Sequence, residues 1–352
     1  MSSINIREEQ LPCMSNDGGR EILAVNGSDG SSQVKREACV ANFIGLDFCW
    51  VCGRDQLVRV FQSQYDLTQY SEQDPELASY TGQRFWLNRC QVCGFTQPDT
   101  LPTLLNYFDR LYDQRWSEEW IEREFASTYK DNIFQAVLDE LDIRVPSMPR
   151  RFLDIGAHVG RFIHLAQQAG WQAEGIELNP RTSAYASRRT GRPVHQVNAH
   201  QLASEGRKYE AITLIDVLEH IPDPVNLLNN INGLLELNGW LCVKVPCGRN
   251  QILKEKMRSH FRKNYRMTVA DNLVHINHFS PASLRLALKK AGFSQITITL
   301  GAPELTPVEK SLTFSKAVWS NRFRAFVYRL GKILPGGVYS PLALNLQAYA
   351  QK

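Results

Sequence analysis

From Arg150 to the end of the chain, short apolar segments alternate with amphipathic ones, and this alternation constrains the fold more than any other feature. Strands are predicted at 151–155, 173–178, 193–197, 211–218, 240–246, 293–300 and 345–352. Helices are predicted at 161–169, 179–189, 224–237 and 280–291. Because parallel strands need long crossover connections, which are usually helices, the pattern predicts an α/β fold: a mainly parallel seven-stranded sheet with helices on both faces.

The part of the chain before Arg150 divides by composition into three segments. Residues 1–40 are rich in Ser, Gly, Asn and Asp, which predicts a disordered leader. Residues 41–103 are rich in aromatic side chains and hold two cysteine pairs, which predicts a small separate module. Residues 104–149 have apolar side chains at helical spacing, so they are predicted to form a helical connector to the α/β domain at 150–352.

Bulk composition excludes few classes of protein. The chain has 352 residues and a formal net charge of +4, which does not by itself indicate nucleic-acid binding. It has no apolar run of the roughly 18 residues that a membrane-spanning helix needs. The first residues, MSSINIREEQLPC, have no apolar core, so a signal peptide is not expected and a cytoplasmic location is. Eight cysteines in such a chain favour thiols or metal ligands over disulfides.

A glycine turn joins the first predicted strand to its helix in LDIGAHVGRF (153–162). Gly156 permits a tight turn, and Gly160 permits close approach of another helix or of a ligand. Asp154 ends the strand, at the edge of the sheet where ligands bind in open parallel sheets. Glu177 ends the next strand, where a carboxylate can accept hydrogen bonds from a ribose diol. Together these residues predict a cofactor site.

Five motifs in order carry a resemblance to a known family. LDIGAHVGRF (153–162), GIELNP (175–180), VNAHQL (197–202), LIDVLEHIPDP (214–224) and LNGWLCVKVP (237–246) resemble the motifs of class I S-adenosylmethionine-dependent methyltransferases. DVLEHIPDP is most similar to the subgroup of ubiquinone-biosynthesis O-methyltransferases. The resemblance covers about 151–301 and implies a Rossmann-like domain that binds S-adenosylmethionine.

The resemblance also implies a role for individual residues. Residues of the glycine turn would surround the methionine end of the cofactor, and Glu177 would hold its ribose. Asn198 and Ala199 would lie beside its adenine, three more residues would line the pocket floor, and Leu178 is a further cofactor-binding candidate. The turn residues are Asp154, Gly156, Ala157 and Gly160, and the floor residues are Asp216, Val217 and Leu218. The carboxylates of Asp154 and Asp216 would suit the ammonium and sulfonium groups.

Three histidines are candidates for a base that takes the proton of a hydroxyl acceptor: His220, His275 and His278. For each of them the alternative is a structural residue near a helix start. In the ubiquinone-biosynthesis relatives an acid-x-x-Glu-His cluster is associated with a divalent metal. Asp216, Glu219 and His220 reproduce that pattern in part, so magnesium is a second, weaker expectation.

The two cysteine pairs have the spacing of metal knuckles. CWVCG supplies Cys49 and Cys52, and CQVCG supplies Cys90 and Cys93. Four thiolates fit tetrahedral zinc in a structural site with no open coordination position, while an iron–sulfur cluster and metal-free thiols are the alternatives. The 37 residues between the pairs predict an inserted β-hairpin. The region is similar to the N-terminal zinc-binding part of some bacterial sugar and natural-product methyltransferases.

Two basic insertions follow the fifth strand, at about 249–270 and 311–342. The first is amphipathic and could form a lid helix. The second has no acidic residue and interleaves basic with aromatic side chains. It is predicted to cover the core as a solvated helix, to bind an anionic acceptor such as a nucleotide-linked sugar, or to rest on a membrane as a peripheral contact.

The sequence therefore predicts methyl transfer to a small-molecule or glycan-precursor acceptor, with oxygen as the expected acceptor atom. The alternatives are sugar C-methylation, an inactive cofactor-binding partner subunit and a nucleic-acid methyltransferase. The last is disfavoured because LEHIPDP (218–224) stands where amino-methylating enzymes carry a different motif, and because 43–100 is not rich in Lys or Arg. The acceptor and the oligomeric state are not encoded in any motif.

Overall fold

A computed structural model describes residues 42–113, 116–261, 275–305 and 316–352. The predicted leader at 1–40 lies outside the described residues, as do parts of both basic insertions. Among the described helices, none is long and apolar enough to cross a bilayer.

The cysteine-rich module consists of two small antiparallel sheets. Strand β1 (Phe43–Gly45) pairs with β5 (Thr100–Pro102), and β2 (Leu57–Gln64) pairs with β3 (Arg84–Cys90), which pairs with β4 (Thr96–Pro98). The predicted hairpin between the cysteine pairs is confirmed as β2 and β3. A short helix, α1 (Pro75–Ala78), lies in the connection between these two strands.

Three helices form the connector: α2 (Tyr107–Tyr112), α3 (Glu118–Ala126) and α4 (Asp131–Arg144). Helix α4 buries Ile133, Val137 and Leu138, which follow helical spacing and pack against the domain behind them. Through helix α4, the connector is therefore part of the core of the α/β domain and is not a loose linker.

The sheet of the α/β domain has seven strands, as predicted. They are β6 (Arg151–Ile155), β7 (Gln172–Ile176), β8 (Val194–His195), β9 (Tyr209–Ile215), β10 (Leu235–Pro246), β11 (Ser294–Leu300) and β12 (Asn345–Gln351). Their order is β11-β12-β10-β9-β6-β7-β8. Strands β6 to β10 are parallel, and β12 is antiparallel to both of its neighbours. The carboxyl ends of the five parallel strands therefore meet at one edge.

The helices of this domain follow the predicted alternation, with two differences. They are α5 (Arg161–Gln168), α6 (Pro180–Thr190), α7 (Ala199–Ser204), α8 (Pro224–Leu234), α9 (Gly248–Phe261), α10 (Pro281–Lys290) and α11 (Lys316–Ile333). Helix α7 was not predicted. The prediction that α8 reaches residue 237 is wrong: Leu235 already pairs with Tyr209 of β9, so β10 begins there and turns at Asn238, whose φ is +66°. Tertiary pairing outweighs the local helical pattern at this point.

The cysteine-rich module is joined to the α/β domain by backbone and side-chain contacts. Phe95 packs on Phe279 with ring centroids 5.0 Å apart, and both are fully buried. The amide of Thr96 donates to the carbonyl of His278 at 3.1 Å, and the amide of His278 donates back at 2.9 Å. The cluster cysteines and the core of the sheet therefore belong to one continuous hydrophobic cluster.

The segment 275–280 leaves no room beside the start of α9. A Cβ on Gly248 would lie 2.5 Å from Cα of His278, so the Gly248→Ala variant must displace backbone. We expect it to lower the free energy of unfolding by about 1–3 kcal/mol, the usual cost of overpacking. Urea denaturation measures this. Gly233→Ala is the matched control, because its Cβ would meet nothing within 4 Å and it lies in helix α8; it should be neutral or stabilise by up to about 1 kcal/mol. Equal midpoints for G248A and the native chain would contradict the packing described here.

Candidate functional site

A cleft of about 1190 Å³ opens at the carboxyl ends of the parallel strands. The glycine turn after β6, Glu177 after β7 and Asp216 after β9 contribute to its wall. Side chains of the connector and of helices α9 and α11 close the opposite side, including Tyr112, Lys254 and Arg324. This is the edge at which open parallel sheets bind ligands, and the volume is large enough for a cofactor and a small acceptor.

The glycine turn is shaped by contact with the loop after β9. Gly156 has φ +81°, and a Cβ there would lie 2.4 Å from Cγ2 of Val217. The amides of Gly156 and Ala157 both donate to the carbonyl of Ile176, each at 2.9 Å. A side chain at position 156 would collide with Val217, so only glycine lets the turn lie this close to Val217. We call the concave surface of the turn beside Val217 the cradle.

Glu177 points into this cradle. Its Oε2 accepts from the amide of His158 and its Oε1 from the amide of Asn179, both at 2.8 Å. These bonds fix the carboxylate, and each oxygen keeps a second lone pair that can accept a hydrogen bond from a hydroxyl ligand. Burial raises the pKa of Glu177, while the amide of Asn179 opposes that shift.

Asp154 lies beneath the glycine turn and is 4% exposed. The hydroxyl of Thr213 donates to its Oδ1 at 2.7 Å. Burial raises the pKa of Asp154 to about 7, against the opposing effect of Thr213. A buried carboxyl of this kind gains from a cationic ligand, because a nearby positive charge favours its ionised form.

Asp216 has surroundings that differ from the sequence-based expectation. Its φ is +58°, and its two oxygens contact Nζ of Lys244 at 2.5 Å and Nζ of Lys130 at 3.0 Å. Burial alone would raise the pKa of Asp216, but these two charges hold it well below its usual range. The negative charge of this carboxylate is thus balanced by two lysines of the protein itself. Its ion pairs hold Lys130 and Lys244 at the cleft floor, and it does not present an unpaired negative charge to a ligand.

The remaining predicted cofactor residues divide into two groups. Ala157, Leu178, Asn198, Ala199 and Val217 line the cleft. Gly160 and Leu218 are not on its wall. A Cβ on Gly160 would lie 2.9 Å from Cβ of Ala186, so this glycine permits the packing of α6 against α5, and Leu218 is fully buried in the core.

Two of the three candidate histidines face the cleft. His220 and His275 line it, with ring centroids 4.7 Å apart, and Tyr112 lies edge-on to His220 at 6.1 Å. His278 is buried beneath them at 3% exposure, and burial lowers its pKa to about 4. Nε2 of Gln251 donates to Nδ1 of His275 at 3.1 Å, so that acceptor nitrogen is already used.

A strap of residues, 275–280, holds these histidines in place. Its amides at Ile276 and Asn277 donate to the carbonyl of Glu219 at 3.0 and 2.9 Å. The side-chain amide of Asn277 donates to the carbonyls of Leu218 and Ile221 at 2.8 and 2.7 Å. The 3-10 turn Leu218–His220 and the strap are thus fixed to each other.

Glu219 lies under the two cleft histidines and is 1% exposed. Neither of its carboxylate oxygens has a hydrogen-bond partner among the described residues, and Nε2 of His275 is 4.0 Å away. Burial raises the pKa of Glu219 to about 8, with a further contribution from Asp216.

The expected magnesium site does not fit these residues. Magnesium prefers six oxygen ligands in near-octahedral geometry. Asp216, the first acid of the motif, is occupied by two ammonium groups, and the donors that lie within 4.8 Å of one another are Glu219, His220 and His275. One carboxylate with two imidazoles is not a group of ligands that magnesium prefers.

The four cysteines of the module converge. Sγ of Cys49 is 3.5 Å from that of Cys93, Sγ of Cys52 is 3.4 Å from that of Cys90, and all four lie within 4.8 Å of one another. Tetrahedral bonds of about 2.3 Å to zinc would separate the sulfurs by about 3.8 Å, so the set fits a structural zinc ion. Burial raises the pKa of Cys52 to about 11, while the hydrogen bond with Cys93 lowers that of Cys49 to about 5.

Sequence reasoning missed several residues of the cleft. Lys130, Tyr112 and Gln251 carry no motif, and they reach the cleft from separate elements. Lys244 had a signal: a single lysine within the apolar run LCVKVP is a buried charge that needs a partner, and it is 2% exposed.

Comparison with known proteins identifies relatives. A family model described as a methyltransferase domain matches residues 122–298. The ubiquinone biosynthesis O-methyltransferase of Paracidovorax citrulli is 26% identical over 147 residues, which cover 40% of this chain and 60% of that protein. The enzyme of the same name from Hydrogenovibrio crunogenus is 25% identical over 147 residues, covering 40% and 58%. Each match spans about three fifths of the relative's length.

Two solved structures match this chain at low identity. A SAM-dependent methyltransferase from Archaeoglobus fulgidus is 17% identical with a TM-score of 0.39, and the match covers 64% of this chain and 98% of that one. Phosphoethanolamine N-methyltransferase 2 from Haemonchus contortus is 15% identical with a TM-score of 0.45, covering 84% and 68%.

The cysteine cluster predicts one zinc ion per chain in purified protein, measured by elemental analysis. Cys90→Ser should lower the zinc content well below one equivalent, because three thiolates and a hydroxyl bind zinc more weakly. Cys247→Ser is the control, since this buried cysteine lies outside the cluster and its loss should leave the zinc content unchanged. A native chain that is folded and holds much less than one equivalent would rule out a structural zinc.

Proposed function

The chain belongs to the methyltransferase family of enzymes, and from that premise we propose that it transfers the methyl group of S-adenosylmethionine to an oxygen of a small-molecule or glycan-precursor acceptor. One observation carries the proposal. The cradle of Gly156 and Glu177 and the imidazole of His220 line one continuous cleft at the carboxyl edge of the sheet. A cofactor in the cradle and an acceptor beside His220 would therefore lie next to each other.

The residues of the cradle fit the parts of S-adenosylmethionine. Glu177 would accept hydrogen bonds from the ribose hydroxyls, and Asp154 would face the ammonium group. Asn198 and Ala199, on the wall beyond Glu177, would border the adenine. When bound, the cofactor supplies a methyl group on a positively charged sulfur, which is the electrophile of the reaction.

His220 is the proposed base. As the acceptor oxygen attacks the methyl carbon and the carbon–sulfur bond breaks, the hydroxyl proton passes to the imidazole of His220. The T-shaped contact with His275 and the edge-on ring of Tyr112 hold this imidazole in one orientation. Burial lowers the pKa of His275, so this neighbour stays neutral and leaves the proton-accepting role to His220.

Acceptor chemistry is suggested by two independent features. The curated relatives are named as O-methyltransferases, which favours oxygen as the atom methylated. Lys254 and Arg324 line the outer part of the cleft, where two cations favour an acceptor that carries a phosphate or carboxylate. A nucleotide-linked sugar has both a free hydroxyl and such a charge.

The pKa of Asp154 makes cofactor binding depend on pH. Burial raises the pKa of this carboxyl to about 7, and a bound ammonium favours its ionised form. Binding therefore releases a proton below pH 7, and the Kd for S-adenosylhomocysteine should rise by up to about tenfold per pH unit as the pH falls from 7 to 5.5. Calorimetric titration across this range measures the slope.

Two variants isolate the group responsible. Asp154→Asn should bind more weakly at pH 7.5 and lose the pH slope, whereas Glu177→Gln should bind more weakly but keep it. A slope that survives in D154N would assign the titration to another group, and a native chain with no affinity for S-adenosylhomocysteine would remove the proposed function altogether.

His220→Asn tests the base. We expect the rate of transfer from tritiated S-adenosylmethionine into a nucleotide-sugar or small-molecule acceptor pool to fall by about 10²–10⁴-fold. The Kd for S-adenosylhomocysteine should change by less than about twofold, because His220 does not contact the cradle in this proposal. His164→Asn on the outer face of α5 is the control and should keep the native rate. A rate for H220N above half of the native value would reject the role of His220.

A further inference from the structure

Helix α11 carries a line of apolar side chains that the described part of the protein leaves uncovered. They recur at intervals of four and three residues, which places them on one face of the helix. Their exposed fractions are 60% for Trp319, 67% for Phe323, 62% for Phe326, 36% for Leu330 and 79% for Ile333. We call these five residues the α11 stripe.

The opposite side of α11 is already packed on the domain. Val327 is buried, and a Cβ on Gly331 would lie 2.6 Å from Cδ1 of Leu300, so helix and sheet are in close contact there. Tyr328 also packs against the core. The α11 stripe is therefore a second apolar face, not the core-facing one.

Isolated exposed apolar residues are ordinary, but a continuous line is not. The α11 stripe extends over 15 residues, and its first and last members are about 21 Å apart at 1.5 Å per residue. Three of its five members are aromatic, including a tryptophan. Such a face marks an interaction surface.

Charge identifies the kind of partner. The chain has no acidic residue from 311 to 352, and exposed Arg322, Arg329 and Lys332 lie among the aromatic residues of α11. The guanidinium of Arg322 stands 5.9 Å from the ring centroid of Trp319. Aromatic and aliphatic side chains flanked by cations are the composition that binds anionic lipid surfaces.

We propose that the α11 stripe docks on the surface of an anionic phospholipid bilayer, with the helix axis in the membrane plane. Phe323, Phe326 and Trp319 enter the headgroup–acyl boundary, and Arg322 and Arg329 contact lipid phosphates. The helix lies on the membrane and does not cross it, because it is too polar to span. This proposal does not depend on methyl transfer.

Cosedimentation of the full chain with large unilamellar vesicles tests the proposal. Vesicles of phosphatidylcholine with about 30% phosphatidylglycerol should bind the native protein at low salt, and binding should weaken by roughly tenfold or more in pure phosphatidylcholine or high salt. The Phe323→Glu/Phe326→Glu double variant should lose roughly tenfold or more of the binding to anionic vesicles. Leu237→Glu is the matched control: Leu237 is an equally exposed apolar residue, at 80%, on another element.

Each outcome decides the matter. Loss of binding in the double variant, with native binding in L237E and unchanged circular dichroism in both, supports the proposal. Failure of the folded native chain to bind anionic vesicles overturns it, as does equal binding by the double variant. If light scattering shows a native dimer that F323E/F326E dissociates, with no vesicle binding, the occupant of the stripe is a second copy of the chain instead.

Discussion

The backbone bridge between Thr96 and His278 is the contact on which the rest of the site depends. It joins the cysteine-rich module to the strap 275–280, and the strap in turn holds the 3-10 turn that carries Glu219 and His220. A structural zinc in the module would therefore stabilise the acceptor side of the cleft without touching a ligand. The four cysteines and the candidate base are far apart in sequence, but these backbone and side-chain hydrogen bonds connect them.

The electrostatics of the cleft follow from how each carboxyl is compensated. The negative charge of Asp216 is balanced by Lys130 and Lys244, so this carboxylate remains ionised and holds the two lysines at the cleft floor. Among the described residues no lysine or arginine forms an ion pair with Asp154 or Glu219, and burial raises the pKa of both towards neutrality. A protein keeps uncompensated buried acids at a cost in stability, and such groups are typical of sites where a ligand supplies the missing charge or proton.

The fold was largely predictable from the sequence, and the site was predictable in part. The strands and most of their helices were found because each has its own apolar period and its own end signals, such as the Ser280 cap and the glycines that follow α5, α6 and α10. Gly156, Glu177 and His220 line the cleft, as their positions shortly after predicted strands indicated, and their roles in binding and catalysis stay predictions. Gly160 and Leu218 carry the same local pattern, but one accommodates Ala186 and the other is core. A motif position alone does not distinguish a residue that faces a ligand from one that faces a neighbouring helix.

The sequence by itself determined the order of the strands and helices, the edge at which the cleft lies and the four cysteines that converge, because local periodicity and knuckle spacing are properties of short segments. Only the tertiary structure decided which side chains meet: that Lys130 and Lys244 contact Asp216, that Gln251 contacts one nitrogen of His275, and that the described residues leave one face of α11 uncovered. These contacts join residues from separate elements, 86 positions apart for Lys130 and Asp216. Nothing in a local pattern records such a distance, since it is fixed by how the elements pack.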